Sequence, residues 1–272
     1  MVNGVVPSTL KEALEILAER DIIPYAGGTD LMVENRKNAG YLFLNKIPEL
    51  RQIRVDEEEI RIGAAVTFTE ALADPNVPLL MKEAVSRIAA PAIRNAGTFG
   101  GNLGNGSAKA DTVVVEFAAD AKLRLVSAVG ERIVNVDGFY LGRKKLDLRK
   151  DELIAEVLLP KHGLDRYVYE KVGGRNALAI SRVSFAGVFD SADGRITKLS
   201  AAFGAVADTV LRYKDLEAML IGKTFEEAKH LKPEYLKAYD ERMMLTKGRV
   251  SAEYRKQVCM NLLNAFLTKF GI

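Results

Sequence analysis

Cysteine and histidine are scarce in this chain. Cys259 is the only cysteine among 272 residues, so the chain has no internal disulfide and cannot ligate an iron–sulfur cluster with its own thiolates. His162 and His230 are the only histidines, and neither has a nearby cysteine with which to build a metal site. The sequence shows no Ser/His/Asp arrangement, no Cys/His pair and no carboxylate pair at a telling spacing. We therefore predict no catalytic residues and no metal ligands.

Excess charge and long hydrophobic runs are also missing. With 39 basic and 36 acidic side chains, the net charge of +3 is too small to indicate a nucleic-acid surface, and we interpret the cluster Arg143-Lys144-Lys145 as a solvated loop. No stretch approaches the roughly 18 apolar residues of a membrane span, so the expected location is the cytoplasm. The hydrophobic content of 48% is enough for real cores, and the length favours two domains.

Glycine, by contrast, is concentrated in two segments. The longer one runs from Ile93 to Gly106, and five of its last ten residues are glycine. So much glycine leaves main-chain N–H groups accessible and is typical of a loop pressed against an anion. The interleaved Asn and Thr residues add side-chain donors and acceptors. A phosphate-bearing cofactor is the expected ligand.

The shorter glycine segment lies upstream, where the apolar run from Ile22 to Ala26 ends in Gly27-Gly28-Thr29-Asp30. This pattern predicts a strand, a tight turn and a helix start capped by Thr29 or Asp30. Common nucleotide fingerprints do not fit the chain, because no G-x-G-x-x-G occurs. Gly222-Lys223-Thr224 lacks the first glycine of a P-loop, since Glu217 stands there, and we interpret it as a helix-to-helix turn.

Together, these segments resemble the flavin-binding subunit of molybdenum hydroxylases, a family that includes the medium subunits of bacterial xanthine dehydrogenase and carbon monoxide dehydrogenase. The shared motifs follow one another along almost the whole chain. They are Ala26-Gly27-Gly28-Thr29-Asp30-Leu31, Ile93-Arg94-Asn95, Thr98-Phe99-Gly100-Gly101-Asn102, Ala110-Asp111, Gly130-Glu131-Arg132, Asp137-Gly138-Phe139-Tyr140-Leu141-Gly142, Glu152-Leu153, Leu158-Leu159-Pro160 and Ser251-Ala252-Glu253-Tyr254-Arg255. Gly97 and Phe99 depart mildly from the pattern, because the family more often has Ala and Ile or Val there.

The resemblance implies an α+β fold. Its N-terminal part is a two-part α/β FAD-binding domain of the PCMH/vanillyl-alcohol-oxidase type, and its C-terminal domain is an antiparallel sheet with helices. We expect the FAD-binding domain over residues 1–162, with subdomains of about 1–55 and 56–162, and the C-terminal domain over 163–272. The residues agree with this boundary, since Lys161, His162 and Gly163 interrupt the apolar pattern.

The resemblance also implies which residues hold FAD. Two groups are assigned to its diphosphate and ribityl region: Tyr25, Ala26, Gly27, Gly28, Thr29, Asp30 and Leu31, and Thr98, Gly100, Gly101 and Asn102. Asp111 is expected to bond polar atoms of the cofactor, although it could equally be a plain helix N-cap. Ile154 is expected to pack against FAD, and Lys171 to lie on the flavin side. Binding is expected to be non-covalent, because neither glycine segment contains His or Cys.

The implied function is electron transfer, for which a flavin supplies the chemistry. In the family, this subunit receives electrons from iron–sulfur centres and passes them to NAD or another acceptor. The implied partners are a small [2Fe–2S] subunit and a large molybdopterin subunit, where the substrate is hydroxylated. Two alternatives remain open: a standalone FAD-dependent oxidoreductase related to cell-wall reductases, and a structural subunit whose glycine segments only turn corners.

Periodicity and capping residues predict most of the remaining elements. Thr9 with Glu12 predicts a capping box at the first helix, and Gly130 marks the bend of a hairpin between 122–126 and 132–136. Further strands are expected at 41–44, 59–64, 166–172, 180–190 and 195–206. Further helices are expected from about Asp30 and from Asp111, and at 67–73, 77–90, 213–221, 225–231, 233–245 and 251–270.

Overall fold

The computed structural model describes residues 3–34 and 39–272 as a mixture of helices and strands, which confirms the α+β class. The helices are α1 (Leu10–Glu19), α2 (Phe68–Ala73), α3 (Leu79–Ser86), α4 (Pro91–Arg94), α5 (Phe99–Gly104), α6 (Asp111–Ala118), α7 (Val136–Phe139), α8 (Lys214–Glu217), α9 (Phe225–Arg242) and α10 (Ala252–Lys269). The strands are β1 (Asn3–Val5), β2 (Ile23–Tyr25), β3 (Gly40–Phe43), β4 (Ile53–Val55), β5 (Glu59–Gly63), β6 (Lys122–Ser127), β7 (Gly130–Asn135), β8 (Tyr140–Gly142), β9 (Lys145–Leu146), β10 (Leu153–Pro160), β11 (Tyr167–Val172), β12 (Val183–Ala192), β13 (Arg195–Gly204) and β14 (Leu211–Arg212).

The chain forms two compact units, and neither is continuous in sequence. The first comprises the described residues of Met1–Val77, together with Ile88–Ser107 and Asp120–Lys161. The second comprises Pro78–Arg87, Ala108–Ala119 and His162–Ile272. Helices α3 and α6 therefore belong to the second unit, although they precede residue 162 in the chain. The domain limits expected from the sequence stay a prediction.

The first unit contains two larger sheets. Strands β1, β3 and β2 form a parallel sheet in that order, and β4, β5, β10, β6 and β7 form an antiparallel one. Helix α1 places Ala13, Leu14 and Leu17 in a core shared with Leu42 and Ile47. That buried stripe follows from the helical spacing of its apolar residues. The predicted hairpin is confirmed as β6 and β7, with Ser127 opposite Gly130.

The second unit is built on an antiparallel meander of β11, β12, β13 and β14. Strand β12 is buried along most of its length because helices cover both of its faces. Phe185 and Gly187 face α10, where a Cβ on Gly187 would lie 2.6 Å from the ring of Phe266. Ser184 faces the opposite way, toward α6, since successive strand side chains alternate between faces. Such burial on both sides fixes the register of the sheet.

Several predicted helix ends agree with the structure. Thr9 caps α1, accepting from the N–H of Glu12 at 3.2 Å, while the Glu12 carboxylate accepts from Ser8, one residue before the cap. Thr224 caps α9 two residues after Gly222, which confirms the helix-to-helix turn. The helices predicted to start at 67 and 251 are confirmed as α2 and α10, and Thr67 and Ser251 are their N-caps.

Other predicted elements were wrong in extent. The break expected near Pro233 is absent, because α9 continues through it with Ala228, Tyr235 and Tyr239 buried in one core. That packing compensates for the hydrogen bond that proline cannot donate. The helix expected over 77–90 ends at Ser86. The helix expected from Asp30 is a series of turns over 30–34, and its continuation at 35–38 lies outside the described residues. Across the part of the chain that the structure describes, none of the helices is suited in length and hydropathy to cross a membrane.

Candidate functional site

A cleft of about 380 Å³ in the first unit brings most of the predicted site residues together. The members that line it are Ala26, Gly27, Gly28, Thr29, Asp30, Leu31, Thr98, Gly100, Gly101, Asn102 and Ile154. Tyr25 does not line the cleft, because its ring packs against Phe43, with centroids 4.8 Å apart. Asp111 and Lys171 lie in the second unit. The two glycine segments thus share one cavity, as predicted for a single ligand.

The first glycine segment is a tight turn after β2 that presents backbone donors. Gly28 has a φ of +68°, a left-handed conformation that favours glycine. The N–H groups of Met32 and Val33 close the following turns on the carbonyls of Gly28 and Asp30, both at 3.0 Å. In the described chain, the N–H groups of residues 27–30 donate to no protein acceptor. Clustered main-chain donors of this kind favour an anionic group.

The second glycine segment is not the predicted loop, because residues 99–104 form helix α5. Thr98 caps it and accepts from the N–H of Gly101 at 3.1 Å. The N–H of Phe99 donates to the carbonyl of Val66 at 3.3 Å, and that of Gly100 to the carbonyl of Ala64 at 2.8 Å. These donors are satisfied within the protein. The prediction of bare N–H groups was therefore wrong for the start of this segment.

Glycine in the second segment instead allows close packing. A Cβ on Gly100 would lie 2.6 Å from the Cβ and 2.9 Å from the carbonyl oxygen of Ala64. A Cβ on Gly27, in the first segment, would lie 1.8 Å from the carbonyl oxygen of Ala96. Cβ atoms do not occur at such distances in a close-packed interior. Both glycines are thus required where two backbone segments approach one another.

Charged side chains at the rim of the cleft form a chain of contacts. The amide of Asn105 donates to the carboxylate of Asp30 at 2.6 Å, and Lys144 Nζ lies 3.1 Å from Glu34 Oε1 and 3.4 Å from Asn105 Oδ1. Lys144 occupies the turn between β8 and β9. Residues 143–145 are all exposed, in agreement with the interpretation of this cluster as a solvated loop, and Lys144 in addition lines the cleft. We call Asp30, Glu34, Asn105 and Lys144 the rim cluster.

Glu152 is a further carboxylate that lines the cleft, and its charge is neutralised by Arg132. Arg132 donates to both of its oxygens, with Nε at 2.7 Å from Oε1 and Nη2 at 2.9 Å from Oε2. These hydrogen bonds hold the pKa of Glu152 below its usual range despite burial. The family motifs at 130–132 and 152–153 are explained in part by this ion pair, which sequence reasoning did not foresee.

Asp111 and Lys171 form a buried ion pair in the second unit. Lys171 Nζ lies 2.7 Å from Asp111 Oδ2 and also donates to the carbonyl of Arg87 at 2.9 Å. Ser181 donates to the other Asp111 oxygen at 2.7 Å. Asp111 is the first residue of α6 but caps nothing, since Ala110 is the N-cap, so the alternative of a plain cap was wrong. Cofactor contacts of this pair stay a prediction.

Comparisons with known protein families give the cleft an identity. Residues 1–162 match the FAD binding domain in molybdopterin dehydrogenase, and residues 168–270 match the CO dehydrogenase flavoprotein C-terminal domain. The chain belongs to this family. It is an FAD-binding subunit of the molybdenum hydroxylase type, an oxidoreductase flavoprotein, as the motifs predicted.

Curated relatives and solved structures agree with this assignment. The chain is 35% identical over 233 residues to the nicotinate dehydrogenase FAD-subunit of Eubacterium barkeri, covering 79% of this chain and 78% of that one. It is 33% identical over 222 residues to the xanthine dehydrogenase FAD-binding subunit of Escherichia coli O157:H7, covering 77% and 76%. A structure of carbon monoxide dehydrogenase from Hydrogenophaga pseudoflava superposes with a TM-score of 0.88 at 28% identity, covering 97% of this chain and 95% of that one.

The residues of the cleft fit FAD. The open donors of residues 27–30 suit the diphosphate, and Asn102 and Thr29 add polar side chains to the lining. Gly101 and Gly104 leave the wall of α5 without side chains, and a Cβ on Gly104 would lie 3.9 Å from Ile154 Cδ1. Apolar lining from Ile154 and Phe68 suits the flat faces of the ring systems. The cleft thus combines anion donors with apolar walls.

Proposed function

We propose that this subunit transfers electrons within a multi-subunit molybdenum hydroxylase. It receives electrons from the iron–sulfur clusters of a small [2Fe–2S] partner subunit and passes them to NAD or another acceptor. A large molybdopterin subunit hydroxylates the substrate. The observation that carries the proposal is the cleft lined by both glycine segments, in a chain whose family model is an FAD-binding domain.

The composition of the cleft supports a redox role rather than substrate chemistry. FAD, when bound, supplies one- and two-electron transfer. The residues of the chain bind and orient it: the turn at 27–30 offers N–H groups, and α5 with Ile154 forms a wall. Of the titratable lining residues that the structure describes, Glu152 is held as an anion by Arg132, and Asp30, Glu34 and Lys144 are engaged in the rim cluster. None is placed as an isolated general acid or base.

Asp111 and Lys171 are included in the proposed cofactor-binding set on the strength of the family motif. Their geometry is compatible with such a role, because Lys171 Nζ has three donors and only two are used within the second unit. Asp111 and the carbonyl of Arg87 hold the ammonium in place, and Ser181 donates to the other oxygen of Asp111. A Lys171→Met variant should shift the reduction potential of the bound flavin if the ammonium acts on it.

Relatives indicate the type of assembly. A match from Hydrogenophaga pseudoflava is named as a carbon monoxide dehydrogenase medium chain, and another from Paenarthrobacter nicotinovorans as a nicotine 6-hydroxylase medium subunit. We propose that this chain likewise occupies the medium position between small and large subunits. The experiment is affinity purification of the tagged chain under native conditions, followed by identification of the co-purifying chains and their iron, molybdenum and FAD content.

The expected result is a complex that contains FAD, [2Fe–2S] clusters and molybdopterin. Acid precipitation should release all of the flavin, because binding is non-covalent. The isolated chain should be bleached by dithionite, and by NADH if NAD is the acceptor, but should not turn over purines, carbon monoxide or nicotinate. Turnover of such a substrate by the single chain would replace this proposal with a standalone flavoenzyme. Purification of the chain alone would contradict the assembly.

A further inference from the structure

The rim cluster contains the one cation found among the described residues that line the cleft. The cleft is lined by Lys144 together with three carboxylates, those of Asp30, Glu34 and Glu152. Glu152 is paired with Arg132, and Lys144 is paired with Glu34. A diphosphate adds negative charge beside these carboxylates. Main-chain donors of residues 27–30 supply only partial positive charge, and a full cation nearby adds a stronger attraction for the diphosphate.

The backbone of Lys144 is fixed close to α5. Its N–H donates to the carbonyl of Gly106 at 3.3 Å, and a Cβ on Gly106 would lie 3.0 Å from the Cα of Lys144. Lys144 itself has a φ of +54°, so the turn between β8 and β9 holds it in a left-handed conformation that is uncommon for lysine. This geometry fixes where the side chain starts.

The side chain of Lys144, in contrast, is free to exchange partners. It is 57% exposed and pairs with Glu34 at 3.1 Å, and ion pairs with this exposure contribute little stability. A diphosphate is a stronger acceptor than a single solvated carboxylate, because it carries more charge and several oxygens. We infer that Lys144 is the residue that neutralises the diphosphate of FAD and exchanges Glu34 for it when the cofactor binds.

This inference rests on the proposed function, since it takes FAD to be the ligand of the cleft. Its consequences differ from those of an ion pair between Lys144 and Glu34 that only stabilises the rim. If the Lys144–Glu34 ion pair only held the rim of the cleft together, removal of either charge would weaken FAD binding. If instead Glu34 competes with the diphosphate for Lys144, removal of the two charges should have opposite effects on FAD affinity.

The test measures FAD and riboflavin affinities of the full chain freed of its flavin, in wild type and four variants. Lys144→Gln should weaken FAD binding by about tenfold, the scale of a lost hydrogen bond to a charged group. Riboflavin, which has no phosphate, should bind Lys144→Gln as it binds wild type. Lys144→Arg should retain most FAD affinity. Lys145→Gln is the matched control, because Lys145 is the adjacent exposed lysine and does not line the cleft.

The Glu34→Gln variant distinguishes an exchange of partners by Lys144 from an ion pair that only stabilises the rim. It should tighten FAD binding by about threefold, because the competing anion is removed. A parallel weakening by Lys144→Gln and Glu34→Gln would overturn the inference, as would a Lys144→Gln affinity within about twofold of Lys145→Gln, well below the loss of a charged hydrogen bond. Equal losses for FAD and riboflavin would also overturn it. Absence of FAD binding by wild type would instead refute the proposed function.

Discussion

The two glycine segments look alike in sequence but do different physical work. At residues 27–30, the backbone N–H groups have no acceptor within the described chain and open into the cleft. At residues 98–102, the N–H groups of Phe99, Gly100 and Gly101 are used by Val66, Ala64 and Thr98. The first segment provides open donors as well as the close approach at Gly27, whereas glycine at the start of the second, helix-forming segment serves close approach. The same composition therefore leaves donors open for binding only in the first segment, although both segments pack closely.

Gly27→Ala should have the largest effect, because Gly27 combines both roles. Its Cβ would fall 1.8 Å from the carbonyl oxygen of Ala96, so the turn and the backbone of residue 96 must separate. We expect the free energy of unfolding of the flavin-free chain to fall by about 3 kcal/mol. Stabilisation by excess FAD, normally about 2.7 kcal/mol at a hundred times Kd, should disappear. Chemical denaturation with and without FAD measures both.

The control for Gly27→Ala is Gly40→Ala in β3. The nearest atom to a Cβ there is Ile22 Cγ1 at 3.6 Å, an ordinary contact. This variant should keep its unfolding free energy within about 1 kcal/mol of wild type and should respond fully to FAD. Wild-type stability and FAD response in Gly27→Ala would show that the first turn is not packed as described.

Sequence reasoning predicted the first segment better than the second, for a physical reason. An apolar run followed by two glycines specifies a strand and a turn locally. Residues 99–104 contain three glycines, each about 1 kcal/mol less favourable in a helix than alanine, so their local preference is for a loop. Helix α5 forms nevertheless, because Thr98 caps it and the carbonyls of Ala64 and Val66 accept its first donors. Those partners lie more than 30 residues away.

The same limit applies to the charged residues of the site. Resemblance to the family indicated Asp111 and Lys171 separately, but their 2.7 Å ion pair joins positions 60 residues apart. Lys144 looked like one of three equivalent surface cations, and only the hairpin between β8 and β9 sets it apart. Charge patterns in a sequence do not show which side chain faces a cavity. Local patterns, by contrast, correctly predicted the Thr9 cap of α1 and the helices α2 and α10.

The second largest effect on stability is expected for Gly100→Ala, which tests whether glycine in the second segment is needed for close packing. In Gly100→Ala, the new methyl would lie 2.6 Å from the Cβ of Ala64, and we expect a loss of about 2 kcal/mol in unfolding free energy. Gly104→Ala in the same helix should gain about 0.5 kcal/mol, because its Cβ meets only Ile154 at 3.9 Å and alanine favours helix. Thermal or denaturant unfolding checks this prediction, since the two variants should change the unfolding free energy in opposite directions. Equal effects would contradict close packing at Gly100.

Thr98→Ala should have a smaller effect and should act through stability. Thr98 is buried, and its hydroxyl accepts from the N–H of Gly101 at 3.1 Å, so the variant removes the cap of α5. We expect a loss of about 1 kcal/mol, with recovery in Thr98→Ser. The extra stability conferred by saturating FAD should change little. A large drop in FAD affinity with unchanged stability would mean that the Thr98 hydroxyl contacts the cofactor directly instead.

The smallest expected effect concerns the bond that joins the two segments. Asn105 Nδ2 donates to Asp30 Oδ2 at 2.6 Å, and both residues lie at the exposed rim. Asn105→Ala should lower the unfolding free energy by about 0.5 kcal/mol, the lower end for a solvent-exposed hydrogen bond. Because Asn105 also contacts Lys144, a double-mutant cycle with Asp30→Ala is needed to isolate this pair. A coupling of about 0.5 kcal/mol is expected. A coupling energy near zero would mean that the Asn105–Asp30 hydrogen bond does not help to position the turn at 27–30 against α5. The close contact of Gly27 with Ala96 would then be enough to hold the turn in place.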